Sequence, residues 1–346
     1  MNSKMKTVAL AALTLASAGA AFAQAEVSFY GRANVSVEHQ KVGNVSGDAF
    51  VDNSSRLGVR ANHNIAGGMK VGTTLEAATN LTTGSTNGNL FAREATVHLA
   101  GSFGQVKLGK MPGSAAYFAT ADYVSNHNHD TGSSSDALWD YPAAFQLERA
   151  IGYTSPNMSG LTLEAQYGLK KGNASQDTTS VEVSPMSLAA NYTMGALQLG
   201  LGHERGSNVF TDLVLNDTMD ATTVRAFYTM GAFGFGGYVQ KTSGTLADRT
   251  AIRLSAMYTM GQNEFHVNYG TAGNRANVAN TGAKQFTLAY NYNLDKQTKV
   301  YAMYTRIGQN SGTNWYQSQY ASRFIAATAE DGNTLSSIGA GIRYNF

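Results

Sequence analysis

The chain has 346 residues, of which 14% are charged and none is Cys. The charged fraction lies well below the roughly 25% of a typical soluble protein, and the lack of Cys excludes disulfides and thiolate metal sites. Mean hydropathy is nevertheless slightly negative, because small and polar residues are abundant, including 37 Gly and 18 Tyr. The length allows one large all-β domain or two ordinary domains.

Residues 1–23 have the pattern of a secretory signal peptide. Lys4 and Lys6 form a basic start, residues 8–16 are apolar, and the run Ala-Phe-Ala at 21–23 fits a cleavage site. The segment holds two of the 25 basic residues and no acid, so the mature chain has 23 basic and 23 acidic residues. This balance gives no reason to expect a nucleic-acid partner.

The rest of the chain is a succession of segments in which apolar and polar residues alternate, as in strands with two different faces. In the first segment Val27, Phe29 and Val35 share a face, and in the last segment Ile342 and Phe346 do so. The clearest predicted strands are residues 26–38, 53–64, 69–79, 91–100, 105–110, 146–154, 161–169, 284–292, 298–307 and 334–346.

A short repeat marks the strand connections. Tyr-Thr-Met-Gly occurs at residues 192–195, 228–231 and 258–261, at spacings of 36 and 30 residues. In each copy a Tyr closes one strand and a Gly turns the chain into the next. The spacing therefore corresponds to one hairpin with its outer loop.

Counting in this way predicts about sixteen strands of about 8–13 residues, long enough for a tilted strand to cross a bilayer. No apolar run after the signal approaches the roughly 18 residues of a spanning helix. Short turns alternate with long polar connections, which is typical of outer-membrane barrels. The long connections are residues 39–52, 80–90, 111–145, 170–182, 205–220, 242–249, 272–283 and 309–333.

The direction of the apolar face decides between fold classes. Sixteen strands enclose a lumen too wide for side chains to fill, so we predict that the apolar face contacts lipid and the polar face surrounds water. The strand-end Tyr residues then form an interfacial girdle. A secreted β-sandwich or β-solenoid is the alternative that alternation alone leaves open.

Several segments together resemble the general diffusion porins of β-proteobacteria. The resemblance implies an all-β, sixteen-stranded transmembrane antiparallel barrel over residues 24–346, a homotrimer in the outer membrane, and passive diffusion through each subunit. It further implies contacts with outer-membrane lipid and lipopolysaccharide, and recognition of Phe346 by the barrel-assembly machinery. The segments are AEVSFYG at 25–31, SSRLGVRANHNIAGGMKVGTTLEA at 54–77, AREATVHLAGSFGQVKLGK at 92–110, AIGYTSPNMSGLTLEAQYG at 150–168 and the terminal Phe346.

In such porins the third long loop folds inward and narrows the barrel opposite a row of basic residues. The corresponding loop here is residues 111–145, the longest connection. The resemblance therefore predicts loop acids on one side of a constriction and a basic wall on the other. The loop acids are Asp122, Asp130 and Asp136, with Asp140 nearby, and the basic wall is Arg32, Arg56, Arg93, Lys110 and Arg149.

The chain also departs from the family pattern. An expected first-strand aspartate is Asn34, and residues 61–68 lack the usual acids. An expected Arg is replaced by Gln146, with Arg149 three residues later. In regular strands Arg93 and Arg149 would share a face with apolar residues, so alternation alone does not direct them into the lumen.

We predict a water-filled channel without enzymatic activity or a cofactor. We also predict a mild anion preference, because fixed Arg charges at a constriction set ion selectivity. A solute-specific channel, an outer-membrane hydrolase and a secreted adhesin are the competing functions. His127, His129 and Asp130 form an alternative metal-binding cluster, although a solvated polar loop is the simpler reading. Trp139 and Tyr141 are predicted to anchor the loop, with sugar stacking as the alternative.

Overall fold

The computed structural model describes residues 26–86, 89–125, 132–142, 146–169, 183–210, 213–245, 247–310 and 332–346. Strand segments dominate these residues. They are β1 Glu26–Val42, β2 Val45–Asp52, β3 Arg56–Ile65, β4 Met69–Asn80, β5 Ser85–Thr86, β6 Glu94–Gly101, β7 Gly104–Lys110, β8 Ala150–Thr154, β9 Leu161–Gly168, β10 Met186–Met194, β11 Leu197–Phe210, β12 Leu213–Met230, β13 Phe233–Ser243, β14 Arg249–Met260, β15 Asn263–Ala272, β16 Ala283–Asn293, β17 Thr298–Gln309 and β18 Leu335–Asn345.

The strands form one closed antiparallel barrel. From β6 to β18 each segment pairs with the next one in sequence, and β18 pairs with β1 to complete the ring. Segments β2 and β3 both pair with β1, through its distal and proximal halves, so together they make one strand interrupted at residues 53–55. With the two-residue β5 set aside, the described chain has sixteen barrel strands, which confirms the predicted fold class.

The exposed fractions of the side chains show which way the apolar face of each strand points. On the outward face, Phe29 is 73% exposed and Leu254 is 61% exposed, whereas the inward Asn34 and Arg253 are both 0% exposed. A large interior lined by Asn, Gln, Glu and Arg cannot be a dry core, and the exposed apolar band matches the lipid-facing surface of a membrane barrel. The predicted orientation is therefore confirmed.

The barrel closes where its two ends meet. The amide of Gly31 donates to the carbonyl of Phe346 at 2.9 Å, and the amide of Phe346 donates to the carbonyl of Gly31 at 3.1 Å. A Cβ on Gly31 would lie 2.4 Å from the Phe346 ring and 2.7 Å from the carbonyl oxygen of Arg56. Glycine at position 31 thus allows the terminal aromatic ring to cross the seam.

Two predicted loops are strands in the structure. Residues 39–52 continue β1 and return as β2 through a turn in which Gly43 has a φ of 57°. Residues 205–220 likewise belong mostly to β11 and β12. The prediction failed because strands that extend beyond the membrane meet water on both faces, so their sequence loses the apolar alternation that marks a strand.

One segment lies inside the barrel. Its short helices are α1, Ala115–Ala119, and α2, Ala121–Ser125, followed by a 3-10 turn at Gly132–Ser134. No helix in the described ranges is long and apolar enough to span a membrane. The described part of the predicted third loop, residues 111–125, 132–142 and 146–147, is largely buried against the inner wall.

Candidate functional site

The first half of the inward segment is fastened by its backbone amides. The hydroxyl of Ser114 caps α1 by accepting from the amide of Tyr117, and it donates to the buried Glu204 carboxylate. The amide of Ala115 donates to Gln166 at 3.0 Å, and the amide of Ala116 donates to Ser187 at 2.9 Å. The unpaired amides of a helix N-terminus are thus satisfied by wall side chains.

Glycines on the facing wall make room for this helix. A Cβ on Gly200 would lie 2.3 Å from the carbonyl oxygen of Ala119, and one on Gly202 would lie 2.7 Å from the Cβ of Ala116. Both positions are on β11, where side chains would otherwise project into the lumen. The helix backbone therefore rests directly on the barrel wall.

The second half of the inward segment is held by two acids. Asp136 accepts from Arg253 and from the hydroxyl of Tyr238, each at 2.6 Å. Asp140 accepts from Arg249 through both of its oxygens at 2.6 Å, and from Arg275 at 2.6 Å. We call these five side chains, Asp136, Asp140, Arg249, Arg253 and Arg275, the loop clamp.

The loop clamp is shielded from water. The exposed side-chain fractions of Asp136, Asp140, Arg249 and Arg253 are all 3% or less, and that of Arg275 is 7%. Burial by itself raises the pKa of the Asp140 carboxyl, but the adjacent Arg249 and Arg275 outweigh burial and lower that pKa from 3.8 to about 2. Charge-assisted bonds of this length are the strong kind, so the clamp fixes the position of the loop.

This pKa predicts how the clamp depends on pH. A carboxyl whose pKa is lowered on folding contributes stability that is present above its ordinary pKa and is lost as pH falls through the folded value. We therefore expect the protection factors of residues 132–142, which correct the exchange rates for the pH dependence of intrinsic amide exchange, to be equal at pH 7 and pH 5 and to fall as the pH approaches 2. A fall in protection beginning near pH 6 would contradict the assignment to Asp140.

Asp136 consequently differs from its predicted role. It was expected to present negative charge to the lumen across from a basic wall, yet its side chain is buried against Arg253 on the loop's own side. The sequence could not reveal this because β14 meets the loop only in the closed barrel. Asp122 lies half-buried in the first turn of α2, and Asp130 lies outside the described residues.

The aromatic residues of the loop pack together. Trp139 is 0% exposed, and its ring centroid lies 5.7 Å from that of Tyr117 and 5.2 Å from that of Tyr238. Tyr141 packs beside them at 6.3 Å from Trp139. A buried ring offers no face for a sugar, so these contacts support anchoring. His127, His129 and Asp130 lie outside the described residues.

A second group of polar residues lies on the wall where the barrel closes. Arg32 faces Arg56 across the β1–β3 pair and Asn345 across the β1–β18 pair. The Asn345 oxygen accepts from Arg32 at 3.0 Å and from Arg343 at 3.4 Å. Lys299 is the cross-strand neighbour of Arg343. Asn345 is thus a neutral acceptor shared by two guanidinium groups.

Arg56 and Arg93 converge on one acid. Arg93 donates to Glu76 at 2.6 Å, and an Arg56 nitrogen lies 4.0 Å from the same carboxylate oxygen. Glu76 is on the inward face of β4. Arg93 precedes β6, which begins at Glu94, so strand alternation does not govern its direction. Its side chain therefore turns to the inward Glu76 despite sharing parity with outward residues.

Lys110 and Arg149 form a separate group. Lys110 is opposite Ala95, on the face that carries Leu108, and it donates to Glu148 at 2.9 Å. Arg149 has a φ of 49°, its side chain is 48% exposed, and it lies 3.7 Å from Glu148. Neither residue joins Arg56 and Arg93 in the structure, because register turns Lys110 outward and Arg149 lies just before β8 in a left-handed conformation.

The wall arginines of the loop clamp were not predicted as site residues. Arg249 and Arg253 are four residues apart on β14 and share a face, and Asp136 and Asp140 are separated by the same interval. That matched spacing was an available signal. Arg275 lies outside the strands in the β15–β16 connection, and nothing in the sequence near it indicates an acidic partner.

Together these features define a class of protein. A closed barrel with an apolar outer surface, a polar lumen and an inward segment fastened to the wall is a channel of the outer-membrane type. A family model described as Gram-negative porin matches residues 9–313. The chain therefore belongs to the Gram-negative porin family, and it is an outer-membrane channel for passive diffusion of small hydrophilic solutes.

Named relatives agree with this family. The chain is 26% identical to outer membrane porin protein 32 of Delftia acidovorans and 24% identical to an outer membrane porin protein of Bordetella pertussis, in each case over 99% of this chain and 100% of the relative. The anion-selective porin from Comamonas acidovorans has a TM-score of 0.75 at 20% identity, covering 93% of this chain and 100% of that chain. The trimer form of OmpT from Vibrio cholerae has a TM-score of 0.67 at 18% identity, covering 93% and 99%.

Proposed function

We propose that the channel conducts anions in preference to cations. The observation that carries this proposal is that two acids of the inward loop are already paired with arginines. Asp136 and Asp140 are bound by three arginines on the loop's own side, so the clamp has no negative excess. On the wall at the barrel seam, Arg32 and Arg343 donate to the neutral amide of Asn345, and Lys299 is the cross-strand neighbour of Arg343. We call Arg32, Lys299 and Arg343 the seam cations.

A cluster of this kind favours anions for an electrostatic reason. Fixed charge of one sign along a pore raises the local concentration of counter-ions. Arg keeps its charge at any working pH, so the preference should persist across the physiological range. Arg56 and Arg93 share Glu76, and Lys107 lies 3.2 Å from Glu94. Glu76 and Glu94 partly neutralise these basic residues.

Reversal potentials of the purified protein in planar bilayers, measured across a KCl gradient, test this proposal. We expect the sign that corresponds to a greater permeability for chloride. A clear cation preference would overturn the proposal. A solute-specific channel is the alternative, and liposome swelling with solutes of graded size separates the two, because saturation by one solute is expected only of a specific channel.

We also propose that the functional form is a homotrimer. Outward aromatic residues follow one another around much of the barrel, as in the Phe233–Tyr258 and Phe265–Tyr290 contacts. Among the described residues, the outward faces of β3, β4, β6 and β7 carry no Phe, Tyr or Trp. Interfacial aromatics belong where a wall meets lipid, so this arc suits contact with another subunit. Chemical cross-linking in outer membranes should give a trimer band.

The terminal Phe346 is proposed as the recognition signal for the barrel-assembly machinery. Deleting Phe346 removes both seam hydrogen bonds and the ring that crosses Gly31. Phe346→Ala keeps the backbone bonds and removes only the ring. If the ring is the signal, both variants should reach the outer membrane at about a tenth of the normal level or less, while both refold in detergent. Normal assembly of Phe346→Ala would refute a recognition role.

We propose that the chain has no hydrolase activity. Among the described residues, the arrangement nearest to a lipid-facing catalytic site is His203 against Thr222, with the two side chains 2.9 Å apart. Asp220 lies 3.5 Å from the other ring nitrogen, but it accepts from Arg205 at 2.7 Å. A cross-strand hydrogen bond explains this contact without catalysis. Phospholipid turnover by the purified protein, absent from a Thr222→Val variant, would overturn this proposal.

A further inference from the structure

A cavity of about 230 Å³ lies between the inward segment and the wall strands β7, β8 and β9. Its floor is at Gly152 on β8, where a Cβ would lie 3.2 Å from the terminal methyl group of Met111. We call this space the wall cavity, and it is separate from the loop clamp and the seam cations. The side chains around it include Lys107, Met111, Pro112, Phe118, Glu164 and Gln166.

One side of the wall cavity is apolar and belongs to the inward segment. Met111 is 1% exposed, and its backbone amide donates to the carbonyl of Leu147 at 2.8 Å. Phe118 lies in α1, whose first amides are held by wall side chains. The hydrocarbon surface is therefore fixed in place, and it favours contact with an aliphatic group.

The other side carries two opposite charges that do not pair with each other. Lys107 on β7 donates to Glu94 at 3.2 Å, and its side chain is 27% exposed, so it reaches the water of the lumen. Glu164 on β9 accepts from the neutral amide of Gln166 at 3.2 Å. Lys107 and Gln166 are both opposite Gly152, so their strands are about 10 Å apart. The ammonium and carboxylate groups thus flank a floor without a side chain.

Gln166 fixes the orientation of the Glu164 carboxylate. The side-chain oxygen of Gln166 accepts from the amide of Ala115 at 3.0 Å, and its nitrogen donates to the carbonyl of Gly113 at 3.2 Å. Gln166 is 5% exposed, and both ends of its amide are bound to the inward segment. Glu164 is therefore positioned before a solute arrives, which lowers the entropic cost of binding.

These features restrict the kind of solute that fits. An ammonium group has three N–H donors, and Glu94 accepts one from Lys107, so a carboxylate can accept another. Glu164 accepts from a neutral amide and can accept from a cation as well. The volume holds about eight water molecules, or a small solute of the same size. A solute with a carboxylate, an ammonium group and a short hydrocarbon side chain satisfies all of these conditions.

We propose that the wall cavity binds an aliphatic α-amino acid as a zwitterion during its passage through the pore. The carboxylate of the amino acid contacts Lys107, its ammonium group contacts Glu164, and its side chain packs against Met111 and Phe118. The inference goes beyond the proposed anion preference and does not depend on it, because the zwitterion has no net charge. For this class of solute it predicts saturation, the behaviour expected of a specific channel.

Single-channel currents of the full chain in planar bilayers test this proposal, because a bound solute narrows the pore and interrupts the current. The probes are L-leucine, isoamylamine, which lacks the carboxylate, isocaproate, which lacks the ammonium group, and glycine, which lacks the side chain. We expect L-leucine to reduce the current saturably. Its half-saturating concentration should be at least about tenfold lower than that of each other probe, because a hydrogen bond to a charged group or a buried aliphatic side chain is worth about this factor.

Matched variants locate the effect. Lys107→Gln and Glu164→Gln should each raise the half-saturating concentration of L-leucine about tenfold or more. Gly152→Val fills the floor of the wall cavity without changing charge and should do the same. Arg60→Gln on β3 and Glu264→Gln on β15 remove inward charges of the same signs outside the wall cavity, and they should leave the block by L-leucine unchanged. A conducting channel without L-leucine shows that each variant has folded.

Four results would overturn the proposal. The first is the lack of a saturable block by L-leucine in the unmodified channel, and the second is an equal or tighter block by isoamylamine, which would assign the wall cavity to organic cations. The third is an unchanged block in Lys107→Gln and Glu164→Gln, and the fourth is an equal loss of block in the control variants. The reversal potential in a KCl gradient without L-leucine tests the anion preference separately, so failure of one proposal is distinguishable from failure of the other.

Discussion

Replacing Asp140 with Asn should release the second half of the inward segment from the barrel wall. The substitution keeps the size of the side chain but leaves the buried Arg249 and Arg275 without their shared anionic partner. Removing one member of a buried ion pair typically costs about 3–5 kcal/mol. A barrel with paired strands all around does not unfold for this amount, so the cost should appear as undocking of residues 132–142.

Undocking has consequences for the pore. We expect single-channel conductance to rise and to fluctuate, because the segment that occupies the lumen becomes mobile, and we expect hydrogen exchange of residues 132–142 to accelerate by about 100-fold or more. Asp48→Asn removes an exposed acid whose partner in the described part of the chain is His39, and it should change neither quantity. Unchanged exchange in Asp140→Asn would mean that the aromatic packing of Trp139 holds the loop without the ion pairs.

Neutralising the seam cations together should remove the anion preference. In the triple variant Arg32→Gln, Lys299→Gln and Arg343→Gln, the hydrogen bonds to Asn345 can be partly retained while three positive charges are lost from the lumen wall. A drop of about 1 kcal/mol in the potential felt by an anion changes its partition about fivefold. We therefore expect the chloride-to-potassium permeability ratio to fall by at least about fivefold, measured from reversal potentials in a KCl gradient.

The outer wall provides a control of equal charge. Replacing Lys41, Lys284 and Arg306, three exposed basic residues on the outer wall, by Gln removes the same number of positive charges from the lipid side of the barrel. That variant should keep the permeability ratio of the unmodified protein. If both triple variants reduce selectivity equally, the preference comes from the overall field and not from the seam cations.

The barrel could be predicted from the sequence because its determinants are local. Alternation in β18, from Leu335 to Asn345, indicates which residues share a face, and the polarity of the two faces indicates which one contacts lipid. Gly, short turns and the repeated Tyr-Thr-Met-Gly mark the connections. The extended β1–β2 hairpin was missed because both faces of a strand beyond the membrane are in water, so its sequence no longer alternates between apolar and polar residues.

For the candidate site, the sequence predicted which face some residues lie on but not which partners they contact. Arg32 and Arg56 were expected on the inner wall from strand alternation, which acts between adjacent residues and needs no knowledge of distant partners. The partners themselves join residues far apart in the chain: Asp140 meets Arg249 and Arg275 across separations of 109 and 135 residues. Only the closed barrel brings these charges together, and burial then makes their pairing obligatory. Sequence alone determined a lipid-facing barrel with a water-facing interior, and the tertiary structure decided which of its charges are available to a passing ion.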